Sequence, residues 1–183
     1  MATRRELLAL TSGAVAGAAT GGLSEAAAAD AADAAAAESA GGRHGWVATW
    51  AAAPTTVPPG TPAVLRRQTV RHVVHLSLGG DELRIRLSNE FGETPLRIGA
   101  VRVALRAGLG AGTATVPGSD RRVTFANRAD LTVPAGAPAV SDPVKLRVAP
   151  GGDLTISLYL PERTPVTTLA AFAYQDNVIA DGD

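Results

Sequence analysis

The chain has 183 residues, of which 17 are Lys or Arg and 17 are Asp or Glu, so its formal net charge is zero. That balance removes the electrostatic case for a nucleic-acid partner or for an anionic membrane surface. Cysteine is absent, which excludes disulfides, thiolate zinc sites and a cysteine nucleophile, and three histidines (His44, His72 and His75) are all that imidazole chemistry could draw on.

The first predicted element is a leader. "TRRELLAL" sets Arg4 and Arg5 before a mildly apolar run from Leu7 to about Leu23, too short and too rich in Ala and Gly for a membrane span. Ala-x-Ala possibilities follow between Ala26 and Ala37. This layout predicts a cleavable export signal of the twin-arginine type, and hence a secreted protein with no membrane span after signal removal. "AAAADAADAAAAESAGG" is low-complexity and has no apolar stripe to bury, so residues 1–44 are assigned to signal and linker.

From Trp46 onward the hydrophobic period is two. "TVRHVVHLSL" (69–78) reads as a strand, and "GGDE" after it as a hairpin turn. Leu83, Ile85 and Leu87 share one face, with Arg84 and Arg86 on the other. In "LRIGAVRVALR", Leu96 and Ile98 have one phase while Val101, Val103 and Leu105 have the opposite one, which predicts a bulge or bend at Gly99–Ala100. Val144, Leu146 and Val148 alternate with Lys145 and Arg147, and Leu154, Ile156, Leu158 and Leu160 with Thr155, Ser157 and Tyr159. "VPPGTP", "VPGSD", "VPAGAP" and "APGGD" are turn signals, and no helical stripe occurs after position 45. The prediction is an all-β domain over 45–165, an antiparallel β-sandwich of jelly-roll-like topology, followed by a loosely packed connection over 166–183.

Candidate chemistry is sparse. Ser88, Asn89 and Glu90 end the alternation in "LRIRLSNEFG" and lead into a turn. They read as a structural corner, with Asn89 in an unusual backbone conformation or bonding nearby amides and Phe91 plugging the end of the sandwich. His72 and His75, three apart on a strand, point to opposite faces, which does not make a metal pair. Ser119 in "VPGSD" lacks the second glycine of a G-x-S-x-G elbow and reads as a Pro-Gly turn. "QDNVIADGD" does not carry calcium-loop spacing. No catalytic, cofactor or metal residue is assigned. Trp46 and Trp50, on one face if their segment is a strand, are core anchors or a stacking platform for sugar.

Taken together, "WVATWAAAPT", "TVRHVVHLSLGGDELRIRLSNEFGETPLRIGAVRVAL", "VPGSDRRVTF", "LTVPAGAPAVSDPV" and "DLTISLYLP" resemble, in order and spacing, the N-terminal part of secreted bacterial SGNH (GDSL-type) hydrolases. The likeness runs from about Trp46 to Pro161. It implies a β-sandwich that precedes an α/β domain hydrolysing esters of lipids or carbohydrates. The family's catalytic blocks are not found. There is no Gly-Asp-Ser, and "PGSD" has that order transposed. An Asp-x-x-His block is also missing, since Gly41, Thr69 and His72 stand three before His44, His72 and His75. The family's oxyanion asparagine belongs to the catalytic domain, so Asn89 does not inherit that role. The expectation is a non-catalytic accessory module of such an esterase, a truncated or fragment chain whose partner is the missing catalytic domain. The alternative is a free-standing secreted module that binds carbohydrate through Trp46 and Trp50.

Overall fold

The computed structural model describes residues 45–58, 60, 63–108, 112–171, 173 and 177–183. The signal and linker expected over 1–44 lie outside the described residues. In chain order the strands are β1 (Thr55–Thr56), β2 (Val64–Leu65), β3 (Gln68–His75), β4 (Gly80–Leu83) and β5 (Arg86–Ser88). Then come β6 (Leu96–Ile98), β7 (Ala100–Leu105), β8 (Arg121–Val123), β9 (Leu131–Val133) and β10 (Pro138–Val140). β11 (Val144–Val148), β12 (Asp153–Leu160), β13 (Thr164–Pro165), β14 (Thr168–Leu169) and β15 (Asn177–Asp181) complete the order. Every pairing is antiparallel, and no helix occurs among the described residues. The described residues are therefore all-β, as their period-two patterning requires, and consistent with a β-sandwich.

One sheet has five strands in the order β15-β3-β12-β7-β8. The remaining strands form two-stranded ribbons, among them β4 with β11, β5 with β10 and β6 with β9. Apolar residues of the sheet (Val74, Val101, Val103, Val123, Leu154) and of the ribbons (Ile85, Ile98, Val133, Val144, Leu146) belong to one buried core. The chain passes from ribbon to sheet at Gly99, where the phase break in the sequence falls: Ile98 is fully buried in β6, and Val101 and Val103 are buried in β7. A Cβ at Gly99 would lie 2.9 Å from Cδ1 of Tyr159. The crossing is thus tight enough to need a residue without a side chain.

Two local expectations are corrected. "GGDE" does not make a hairpin, because β4 pairs with β11 while β3 pairs with β12 and β15. Leu76 bonds the β11–β12 turn instead: its amide donates to Gly152 O, and Gly151 N donates to Leu76 O. The Leu83–Leu87 alternation is not one ladder. It breaks at Arg84–Ile85 opposite a one-residue register shift, and the hydroxyl of Ser141 accepts from the amide of Ile85 across that break. In the segment after 165, expected to be a loosely packed connection, β14 pairs with β1, and β15 lies along β3 with all five residues exposed.

Candidate functional site

The "SNEFG" corner is built for structure. Asn89 is 4% exposed. Its Nδ2 donates to the carbonyls of Thr94 (3.0 Å), Val133 (3.3 Å) and Pro134 (3.0 Å). Its own carbonyl accepts from Gly92 N and Gly136 N. Asn89 therefore ties the turn after β5 to the turn between β9 and β10. It bonds carbonyls rather than the expected amides, and it is not among the residues with positive φ. Phe91 is 43% exposed, so it does not plug the sandwich end as expected; its amide donates to the Thr168 hydroxyl. Ser88 donates to Glu90, and Arg86 pairs with the same carboxylate. These contacts, the Ser88 hydroxyl first, hold the Glu90 carboxyl below its usual range. Ser119 is likewise engaged: it is buried, its hydroxyl donates to Val116 O, and it accepts from Leu105 N.

The histidines lie on opposite faces of β3, as the alternation requires. His72 shares its side with Val70 and Val74, which pack in the core, and it bonds Asn177 of β15. Burial lowers its pKa below the ordinary 6.5, opposed by the Asn177 bond. The unfolded chain takes up the proton first, so this contribution is present above about pH 6.5 and is lost as pH falls through and below that value. Denaturation midpoints should drop between pH 7 and pH 5, a window above the carboxylate range, and His72→Gln should flatten that slope. An unchanged slope in the variant would contradict this.

His75 is exposed and bonds Asp153 through Nδ1 at 2.7 Å, while Arg106 Nη1 reaches the other carboxylate oxygen at 3.1 Å. The His75 bond first, and then Arg106, hold the Asp153 carboxyl low against burial, which raises it. An imidazole oriented by a carboxylate is two parts of a hydrolytic triad. Among the described residues, Asp153 is the hydrogen-bond partner of His75, and no hydroxyl completes the set.

A cleft that no sequence motif announces lies on the face of the five-stranded sheet that points away from the core. It has a volume of about 250 Å³. Its floor is set by register. Ser157 of β12 lies between Arg71 of β3 and Arg102 of β7. One row along, Tyr159 lies between Thr69 and Ala100; in the other direction Thr155 lies between Val73 and Ala104. The chain after β7 returns across this face, so that Thr115 and Asp120 form a wall, with Asp183 also lining the cleft. Arg71 Nε donates to Ser157 Oγ at 3.0 Å, and its Nη1 reaches Thr113 at 3.5 Å. Arg102 is paired with Asp120 through two nitrogens.

Thr155 is the anomaly there. It is 2% exposed, and its Oγ1 has no hydrogen-bond partner. A buried hydroxyl without a partner costs about 1–3 kcal/mol, whereas an isosteric methyl does not carry that cost. Thr155→Val should therefore stabilise the fold by about 1 kcal/mol, read as a higher urea midpoint at unchanged slope. A loss of similar size would show that the hydroxyl is satisfied.

A second hollow of about 430 Å³ lies beside Phe125 and Leu131. On its rim Asp130 already holds both Arg97 and Arg128. Trp46 and Trp50 are 50% and 36% exposed, and residues 45–54 contain no strand, so the alternation that would put both rings on one face does not operate. Asp181 of the "QDNVIADGD" tail accepts from Gln68. Among the described residues, no three His, Asp or Glu side chains gather as a metal site, and no helix is long and apolar enough to cross a membrane.

No protein-family model matches this chain, and no curated protein matches it.

Proposed function

We propose that this chain is the non-catalytic accessory module of a secreted SGNH-type ester hydrolase. In this reading it is a two-layered, jelly-roll-like sandwich placed ahead of an α/β catalytic domain. The order and wording of its segments support the reading, and so does the all-β antiparallel architecture that such a module needs. One observation carries most weight: the polar residues of the quoted motifs are committed to the fold. Asn89 bridges two turns, Ser88 bonds Glu90, and Ser119 closes its own turn. A nucleophile must instead present its hydroxyl to a base and leave room for a reacting carbonyl.

The test is the gene itself. The frame beyond codon 183 is expected to encode Gly-Asp-Ser and, further on, Asp-x-x-His. Downstream DNA with neither block in any frame would overturn the proposal. Secretion is proposed on Arg4 and Arg5: changing both to Lys should hold the protein in the cell, and undiminished export would contradict a twin-arginine route.

A further inference from the structure

We infer that the cleft on the outer face of the five-stranded sheet binds a single neutral sugar unit. The inference goes beyond the accessory-module reading and does not depend on it.

The outward row of a sheet is ordinarily solvated, and its polar side chains hydrogen-bond to water. Here the row through Thr155 is closed off: Val73, Thr155 and Ala104 are 2%, 2% and 3% exposed. A hydroxyl held there without a partner is unusual in a native fold, where buried polar groups are paired. Thr155 lines the cleft, next to the Ser157 hydroxyl on the same face of β12. Arg71 keeps donor capacity, since its bonds to the protein use Nε and Nη1, at the 3.5 Å limit for the latter. No carboxylate pairs with Arg71 among the described residues.

Charge decides the ligand class. The guanidiniums of Arg71 and Arg102 are matched by the carboxylates of Asp120 and Asp183 around the same cleft. A phosphate or a uronate would gain no net attraction there, and would meet both carboxylates. A neutral sugar has hydroxyls that both donate and accept, which suits a site mixing guanidinium, carboxylate and hydroxyl groups. Its C–H face suits an aromatic ring, and Tyr159 supplies one beside Ser157. Size points the same way. At about 250 Å³ the cleft falls below the range for drug-sized ligands, so it fits one ring rather than a chain.

The test is an amide NMR titration of the intact chain with glucose, galactose, mannose and xylose, with glucuronate and inorganic phosphate as further probes. At least one neutral sugar should give saturable shifts confined to β3, β12, β7 and residues 115–120, with a Kd of about 1–10 mM. Arg71→Ala should weaken binding about tenfold, and Ser157→Ala several-fold, with the spectrum otherwise unchanged. Trp50→Ala should leave it intact, which separates the cleft from a tryptophan platform. If Arg71→Ala fails to fold, Arg71→Lys replaces it, with the same expected loss. No saturable shift with any neutral sugar, shifts elsewhere on the molecule, or a preference for glucuronate or phosphate would each overturn the inference. None of these outcomes bears on what the downstream reading frame encodes.

Discussion

Replacing Asn89 by alanine should cost about 2–4 kcal/mol, far more than one polar truncation on the surface. The reason is where its amide sits. Three carbonyls, those of Thr94, Val133 and Pro134, share the two N–H groups of one Nδ2 in a site that is 4% exposed. Alanine leaves them short of a donor and away from water. Asn89→Asp should be worse than alanine, because a carboxylate would face those same oxygens. Gly92 sharpens the test. A Cβ there would lie 1.9 Å from Asn89 Oδ1 and 2.6 Å from its Cγ, so Gly92→Ala must displace the same side chain. The two changes should not add. In the Asn89→Ala background Gly92→Ala should be nearly silent, with a coupling of about 1–3 kcal/mol in a double-mutant cycle. Additive losses would show that the corner is not held through this contact.

The second large effect is expected at Ile98. It is fully buried, pairs with Leu131 across β6–β9, and stands one residue before the chain crosses to β7. Ile98→Ala should cost about 3 kcal/mol, with Ile98→Val nearer 1. Gly99 leaves the crossing little freedom to collapse onto the missing atoms, because Tyr159 and Pro161 already crowd it. Val140→Ala, at a residue 53% exposed, should change stability by less than about 0.5 kcal/mol and serves as the control. If Ile98→Ala cost no more than this control, ribbon and sheet would not share a core at that point.

The parts of this fold that were legible in the sequence are those where one strand carries its own signal. Val144–Val148 alternates buried and exposed residue by residue, as its pattern states. The phase break at Gly99 correctly marks a bend. Partner choice was not legible. "GGDE" has the composition of a tight hairpin, yet the preference is local, and β4 finds its partner more than sixty residues away in β11. The opposite failure occurs at "FANR". Ala126 and Asn127 both take positive φ (50° and 63°) in a tight turn closed by reciprocal bonds between Phe125 and Arg128. Nothing about Ala-Asn announces that turn. Its support comes from Asp142, which accepts from both turn amides and from Thr124; the Thr124 hydroxyl first, then the Asn127 amide, hold its carboxyl low.

The cleft was hidden for a related reason. Arg71, Arg102, Thr155 and Ser157 lie on three strands, and only the register makes them neighbours. Read alone, Thr155 and Ser157 are the polar half of an ordinary alternation. The wall of the cleft comes from Thr115 and Asp120, in the chain after β7, which no periodicity encodes. The "SNEFG" corner was legible as a corner, because a broken alternation followed by an aromatic and a glycine signals a turn. Its carbonyl partners come from the β9–β10 turn more than forty residues on, so the mode of bonding was not.

Ester hydrolysis by the purified chain is the most direct measurement of whether the module is non-catalytic. With p-nitrophenyl acetate, the chain should release p-nitrophenol at the rate of buffer, and His75→Ala should change nothing. Saturable turnover that disappears in His75→Ala and Asp153→Asn would mean that a hydroxyl does reach the imidazole, and the accessory-module account would fail.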